Sequence, residues 1–210
     1  MKFSVKAICH QGYVRENMED STYPPCGFEG VLDTPFSVAV ADGVGGLPGG
    51  EVASSIAVRY AEYIKDVKDV KKHLLSAHLD TQSTFPGAAT TLTLALLTDD
   101  FLDVYWIGDS YAVYIQEDGT FYTITRPHVH PGTGYITRVL GIGEPIFDSF
   151  RIDVEDVLHL LLFTDGFTAH FSIPEIVKMF LRREDLIENT LSAGGFDNMA
   201  LVTVSKISYM

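Results

Sequence analysis

Three apolar runs in this chain each end in an aspartate, and that arrangement limits the fold more than any other feature of the sequence. FSVAVADGVGG (residues 36–46) stops abruptly at Asp42 and passes into glycine-rich chain. LDVYWIGDS (102–110) and LHLLLFTDG (158–166) repeat the design, with a glycine directly before Asp109 in the first and directly after Asp165 in the second. Each run is short, apolar and bounded by turn residues, which predicts a buried strand. At such a strand end the sheet fixes the backbone while the carboxylate projects from the rim. Asp-Gly is also an ordinary way to leave a strand, so the pattern alone leaves two accounts open. Either these are three unrelated turns, or the carboxylates converge on one site, kept together by protonation or by cations. Oxygen donors at that density suit Mg²⁺ or Mn²⁺ better than zinc.

The remaining elements follow from periodicity and punctuation. Residues 3–9 predict a first strand, and the polar segment GYVRENMEDS (12–21) then brings Arg15, Glu19 and Asp20 close together. Residues 23–30, with two prolines and two glycines, read as a turn-rich connection. Val52, Ile56, Tyr60, Tyr63 and Ile64 recur at helical spacing from about Glu51, and Val70, Leu74 and Ala77 mark a second helix over 69–79. His73 and His78 are too far apart in phase to clip one metal and read as surface or packing residues. After a polar break at 81–86, residues 89–125 read as a β-meander with tight turns at Thr-Asp-Asp and Asp118-Gly119. Residues 126–141 form a loop whose His128 and His130 lack a nearby third ligand. Residues 146–152 and 157–163 predict paired strands. Pro174 at the first helical position, with Ser172 as cap, predicts a helix bearing Ile176, Val177, Phe180 and Leu181. A shorter helix with Leu186, Ile187 and Leu191 ends at Gly194 and Gly195, and a last strand covers 199–204, just after Asp197 and Asn198.

Length and charge narrow the function. A chain of 210 residues, 46% hydrophobic, makes one large domain or two small ones and buries a core easily. A formal net charge of −13 argues against an extended nucleic-acid partner. Cys9 and Cys26 match no zinc pattern and are expected to be free thiols in a reducing compartment. No stretch reads as a signal peptide or a membrane span, so the expected setting is soluble and cytoplasmic.

GYVRENMEDS, VAVADGVGG, AATTL, IGDS, ITRVLG, FTDGF and GGFDNMALVTV stand in the order of the motif series of the type 2C metal-dependent Ser/Thr protein phosphatases, which the chain resembles from about residue 5 to 205. The resemblance implies a single catalytic domain over 1–210 with an α+β fold, a central β-sandwich of two antiparallel sheets flanked by helices on both outer faces (αββα). It implies two Mg²⁺ or Mn²⁺ ions bridged by a water that attacks phosphoserine or phosphothreonine. By resemblance Asp42 is the bridging ligand and the Gly43 carbonyl also coordinates. Glu19 is a direct ligand, Asp20 acts through bound water, and Asp165 and Asp197 complete the opposite side. Asp109 matches the position that serves a third ion, and Arg15 would hold the substrate phosphate. Val44 stands where eukaryotic members carry a histidine, as is common in bacterial members. Only 128–135 remain for the flap that family members carry, Tyr111 replaces an arginine, and Ala89 replaces a glycine. The implied partners are phosphorylated proteins made by a Ser/Thr kinase, with no membrane and no nucleic acid, and the chain is expected to be a monomer. The other expectation is a catalytically silent relative that binds phosphoproteins or regulatory partners.

Overall fold

The computed structural model describes residues 1–207. It contains two antiparallel sheets. One has six strands, β1 (Lys2–His10), β3 (Glu29–Asp33), β7 (Tyr111–Ile115), β8 (Phe121–Thr123), β10 (His159–Phe163) and β11 (Met199–Lys206), in the order β3-β1-β11-β10-β7-β8. The other has five, β2 (Asp20–Tyr23), β4 (Phe36–Asp42), β5 (Leu92–Leu97), β6 (Phe101–Ile107) and β9 (Asp148–Asp153), in the order β2-β4-β5-β6-β9. Helices α1 (Gly50–Arg59) and α2 (Val67–Thr84) cover the five-stranded sheet, and α3 (Ile173–Leu181) and α4 (Leu186–Ser192) cover the six-stranded one. This is the expected αββα sandwich.

Strand periodicity explains the layers. In β4 the larger residues Phe36, Val38 and Val40 enter the core between the sheets, joined by Leu102, Val104, Leu160, Leu162 and Val204. The intervening Ala39 and Ala41 face α1, where Ala57, Val58 and Ala61 lie against them. Small side chains on that face let the helix approach closely. β10 uses the same alternation: Leu160 and Leu162 point inward while Leu161 and Phe163 meet Ile176, Val177 and Leu191 of the outer helices. Burial on both faces is why these strands read as continuous apolar runs.

Several local expectations are corrected. The chain from 89 to 125 is not one meander, because β5 and β6 lie in one sheet while β7 and β8 lie in the other. The crossing occurs at Gly108, where φ is +101°. The strands expected as a pair over 146–163 separate in the same way: β9 pairs with β6, and β10 with β7 and β11. The turn-rich 23–30 connection runs into β3, an edge strand with alternating exposure. α2 runs on through Thr84, absorbing most of the polar break, and Pro174 is the second helical residue rather than the first.

Cys9 and Cys26 are not free thiols. They form a disulfide, with Cα atoms 5.6 Å apart. The register explains it. β1 pairs with β3 as Lys6↔Glu29, and Ala7 continues the pairing by donating to and accepting from the chain at 27–28, which carries Cys9 across to Cys26. Bridged in this way, the two cysteines give no sign of a reducing compartment. Among the described residues no helix is long and apolar enough to cross a membrane.

Candidate active site

The sandwich gathers the sequence-predicted carboxylates at one end. Asp20 and Asp42 are directly opposed across β2 and β4. Asp165, just beyond β10, and Asp109, in the turn between β6 and β7, meet them from the other strands, close enough that like charge acts between them. Carboxylates gathered this closely repel one another unless they are protonated or bridged by cations.

Electrostatics agree. Burial lifts Asp20 to about 7, against the opposing effect of a hydrogen bond from Thr164 and with Asp165 and Asp197 as like-charged neighbours. Burial also raises Asp109 to about 7, helped by the Asp165 charge. Asp42, half-buried and facing Asp20, Asp165 and Asp109, is pushed well above the usual carboxylate range by desolvation first and by those charges second. Asp165 is raised, chiefly by burial. Glu19 lies nearer the surface and is raised by burial, with Arg15 pulling the other way.

Arg15 and Asp197 form the rim. The guanidinium donates from Nη2 to Asp197 Oδ2 at 2.7 Å. That hydrogen bond, the largest influence on Arg15, holds it charged, and Asp42 and Glu19 add to the effect. Gly43 donates its N–H to the Glu19 carbonyl at 3.1 Å and lies against the Gly50 backbone, so closely that a Cβ would collide with it.

Groups to which the sequence reading gave no role hold these carboxylates in place. The Thr91 hydroxyl accepts from the Asp42 N–H at 2.9 Å, and the Thr90 hydroxyl donates to the Asp42 carbonyl at 2.8 Å. The Thr164 hydroxyl donates to Asp20 Oδ2 at 2.6 Å and accepts from the Ala200 N–H at 2.9 Å, tying Asp20 to β11. Asn198 closes the ring. Its Oδ1 accepts from the Glu19 N–H at 2.7 Å, and its Nδ2 donates to the carbonyls of Gln11 at 2.8 Å and Asn17 at 3.0 Å. The signal for all four was the polar residue adjoining each motif aspartate or opening the AATTL strand. His130 stays exposed and accepts from Gly132, while His128 is buried, so the two histidines share no site.

Among the described residues no three His, Cys, Asp or Glu side chains already enclose a point suited to an ion. Asp20 instead accepts from Thr164, and Asp197 from Arg15. The donor set of the cluster nevertheless fits hard divalent cations. Oxygen is the only donor type, four carboxylates gather at one end of the sandwich, and Asp20 Oδ1 and Asp109 Oδ1 are buried with no hydrogen-bond partner.

A two-sheet sandwich with helices outside and a buried carboxylate cluster at one end defines the class, a scaffold for divalent-cation chemistry. The sequence model of the family described as Protein phosphatase 2C matches residues 26–195, and the chain belongs to that family. It is 28% identical to the serine/threonine protein phosphatase PstP of Mycobacterium tuberculosis over 95% of its own length, but spans only 44% of that protein. It is 26% identical to the serine/threonine phosphatase Stp of Listeria welshimeri, covering 93% of each chain. The solved catalytic domain of PstP, in complex with two manganese ions, superposes with a TM-score of 0.78 at 24% identity, over 98% of this chain and 100% of that one.

Proposed function

We propose that the chain is, as one catalytic domain, a metal-dependent phosphoprotein phosphatase acting on phosphoserine and phosphothreonine. The observation that carries this reading is the gathering of the buried Asp20 with the half-buried Asp42, Asp109 and Asp165, two of whose oxygens are orphaned, beside a charged arginine on the rim. Glu19, Asp20, Asp42, the Gly43 carbonyl, Asp165 and Asp197 would hold two Mg²⁺ or Mn²⁺ ions, and Asp109 would serve a third. The PstP domain with two manganese ions supports manganese as the first choice. Divalent cations held there would activate a water and neutralise charge on the phosphoryl group.

The chain's own residues supply the rest. Arg15 offers a planar fork of donors matched to phosphate oxygens. Thr91 and Thr90 fix the Asp42 backbone, and Thr164 fixes Asp20, so the acidic end is preorganised rather than assembled on binding. No side-chain nucleophile is required. The substrates would be phosphoproteins, met by a monomer, and no observation favours the silent binding module. A cytoplasmic setting suits such substrates, and the Cys9–Cys26 bridge, of a kind rare in that reducing compartment, counts against it.

Hydrolysis of para-nitrophenyl phosphate and of a phosphothreonine peptide tests the reading. Turnover is expected with Mn²⁺ and none with EDTA, and absence of turnover in both conditions overturns it. Arg15→Ala is expected to lower kcat/KM on the peptide by about 10–100-fold, the worth of charged hydrogen bonds to phosphate. An unchanged kcat/KM would remove Arg15 from the phosphate site.

A further inference from the structure

His128 lies between β8 and β9, and the function proposed above gives it no role. It is only 8% exposed and grips one residue at two points. Its backbone N–H donates to the Gly108 carbonyl at 2.9 Å, and the Gly108 N–H donates to its ring Nδ1 at 3.1 Å. An N–H donor at Nδ1 assigns the ring proton to Nε2, which faces Asp148 Oδ2 at 3.2 Å. Arg138 Nη1 donates to the other oxygen of that carboxylate at 3.1 Å and lies 3.3 Å from Nε2, which, carrying the proton, does not accept from it, so the shared Asp148 carboxylate joins the two donors. The Trp106 indole lies nearly parallel to the imidazole, 15° between planes, and limits its tilt.

Gly108 immediately precedes Asp109, whose Oδ1 is buried without a partner. The turn has no slack. Gly108 has φ +101°, and a Cβ there would lie 2.5 Å from Thr91 Cγ2. On the other side of Asp109, the hydroxyls of Ser110 and Thr91 are 2.8 Å apart, and Thr91 is also the acceptor for the Asp42 N–H. The direction of the Asp109 carboxylate is therefore set by its two neighbours, one tied to Thr91 and the other to His128.

We propose that His128 is a positioning residue that fixes the Gly108–Asp109–Ser110 turn, and through it the Asp109 carboxylate, with Asp148 and Arg138 setting the tautomer and tilt of the ring. The proposal rests on the reading of Asp109 as the ligand of an outer, weaker cation. It also gives the short 128–138 segment a function: this segment carries both His128 and Arg138 and so reports to the acidic end through one ring.

The test is a Mn²⁺ titration of the full chain by isothermal calorimetry, alongside the Mn²⁺ dependence of phosphothreonine-peptide turnover. His128→Leu removes the acceptor at Nδ1, and His128→Asn restores one at nearly the same place. The Leu variant is expected to keep its tightest Mn²⁺ binding. Its weakest binding and the Mn²⁺ concentration for half-maximal turnover should both shift by about tenfold, the lower end of what supporting groups behind metal ligands contribute. The Asn variant should recover most of that shift, and Leu added to Asp109→Asn should cause no further change. If the Leu variant does not fold, Asp148→Asn and Arg138→Gln, on the exposed side of the ring, carry the same test and should shift Mn²⁺ dependence in the same direction. An unshifted Leu variant, no recovery with Asn, or a shift that adds in full to that of Asp109→Asn overturns the proposal alone. Wild-type Mn²⁺ dependence in Asp109→Asn itself overturns the reading of the site, and the proposal with it.

Discussion

Asp42→Asn is expected to lose at least about 10³-fold in turnover, roughly 4 kcal/mol of transition-state stabilisation, the scale on which a divalent cation acts at a phosphoryl group. The same substitution should not weaken the fold. Asp42 is half-buried and faces Asp20, Asp165 and Asp109, so desolvation and like charge both disfavour its ionised form. An amide of equal size removes that conflict and leaves the backbone bonds to Thr90 and Thr91 in place. In EDTA at pH 8 the variant should melt at or above the wild-type temperature. The sign with pH follows from the raised carboxyl. A group whose folded pKa lies above its unfolded one favours folding at low pH and loses that contribution as pH rises through the folded value. The advantage of the variant should therefore shrink as pH falls toward 4, where the wild-type carboxyl is protonated on folding at little cost. Added Mn²⁺ should raise the melting temperature of the wild type and leave the variant nearly unmoved. A variant that retains turnover, or that melts well below wild type in EDTA, contradicts the placement of Asp42 at the centre of the cluster.

What could be read from the sequence was local. The three runs ending at Asp42, Asp109 and Asp165 announced buried strands because both faces of each are covered. The stripes over 52–64, 70–77 and 176–191 announced helices because each lies on a sheet by one face. Partnership between strands was not legible in the same way. IGDS looks like the turn of a hairpin, yet at Gly108 the chain leaves one sheet for the other, a choice set by contacts of β7 with β10 that lie far away in sequence. The disulfide was missed for the same reason. Nothing near Cys9 or Cys26 points to the other, and only the β1–β3 register brings them together. In the site, the carboxylates stood out as isolated charges at the ends of apolar strands. Thr91, Thr164 and Asn198 did not, because a threonine in a strand or an asparagine after an aspartate has many ordinary reasons to be there. Their roles come from bonds that span 49 residues from Asp42 to Thr91, 144 from Asp20 to Thr164 and 179 from Glu19 to Asn198.

Asn198 is also where the structure should tolerate least change, and Gly166→Ala probes it without touching a carboxylate. A Cβ at Gly166 would overlap the Asn198 carbonyl oxygen and crowd Met199 Cγ at 3.2 Å. Backbone oxygen cannot swing aside as a flexible side chain can, so the first residues of β11 must move. That displacement carries Asn198 away from Glu19, Gln11 and Asn17, and with it the segment that presents Arg15 and Glu19. Overpacking of this kind costs about 3 kcal/mol, which for a domain of this size is a fall of roughly 6–12 °C in Tm. Mn²⁺ binding should weaken in parallel, since both sides of the site hang on Asn198. Gly132→Ala is the control. It lies in the exposed flap, a Cβ there meets only the His130 side chain at 3.4 Å, and its effect should stay within about 0.5 kcal/mol. If the two substitutions melted alike, the contact between the turn after β10 and the start of β11 would not be what holds this end of the sandwich together.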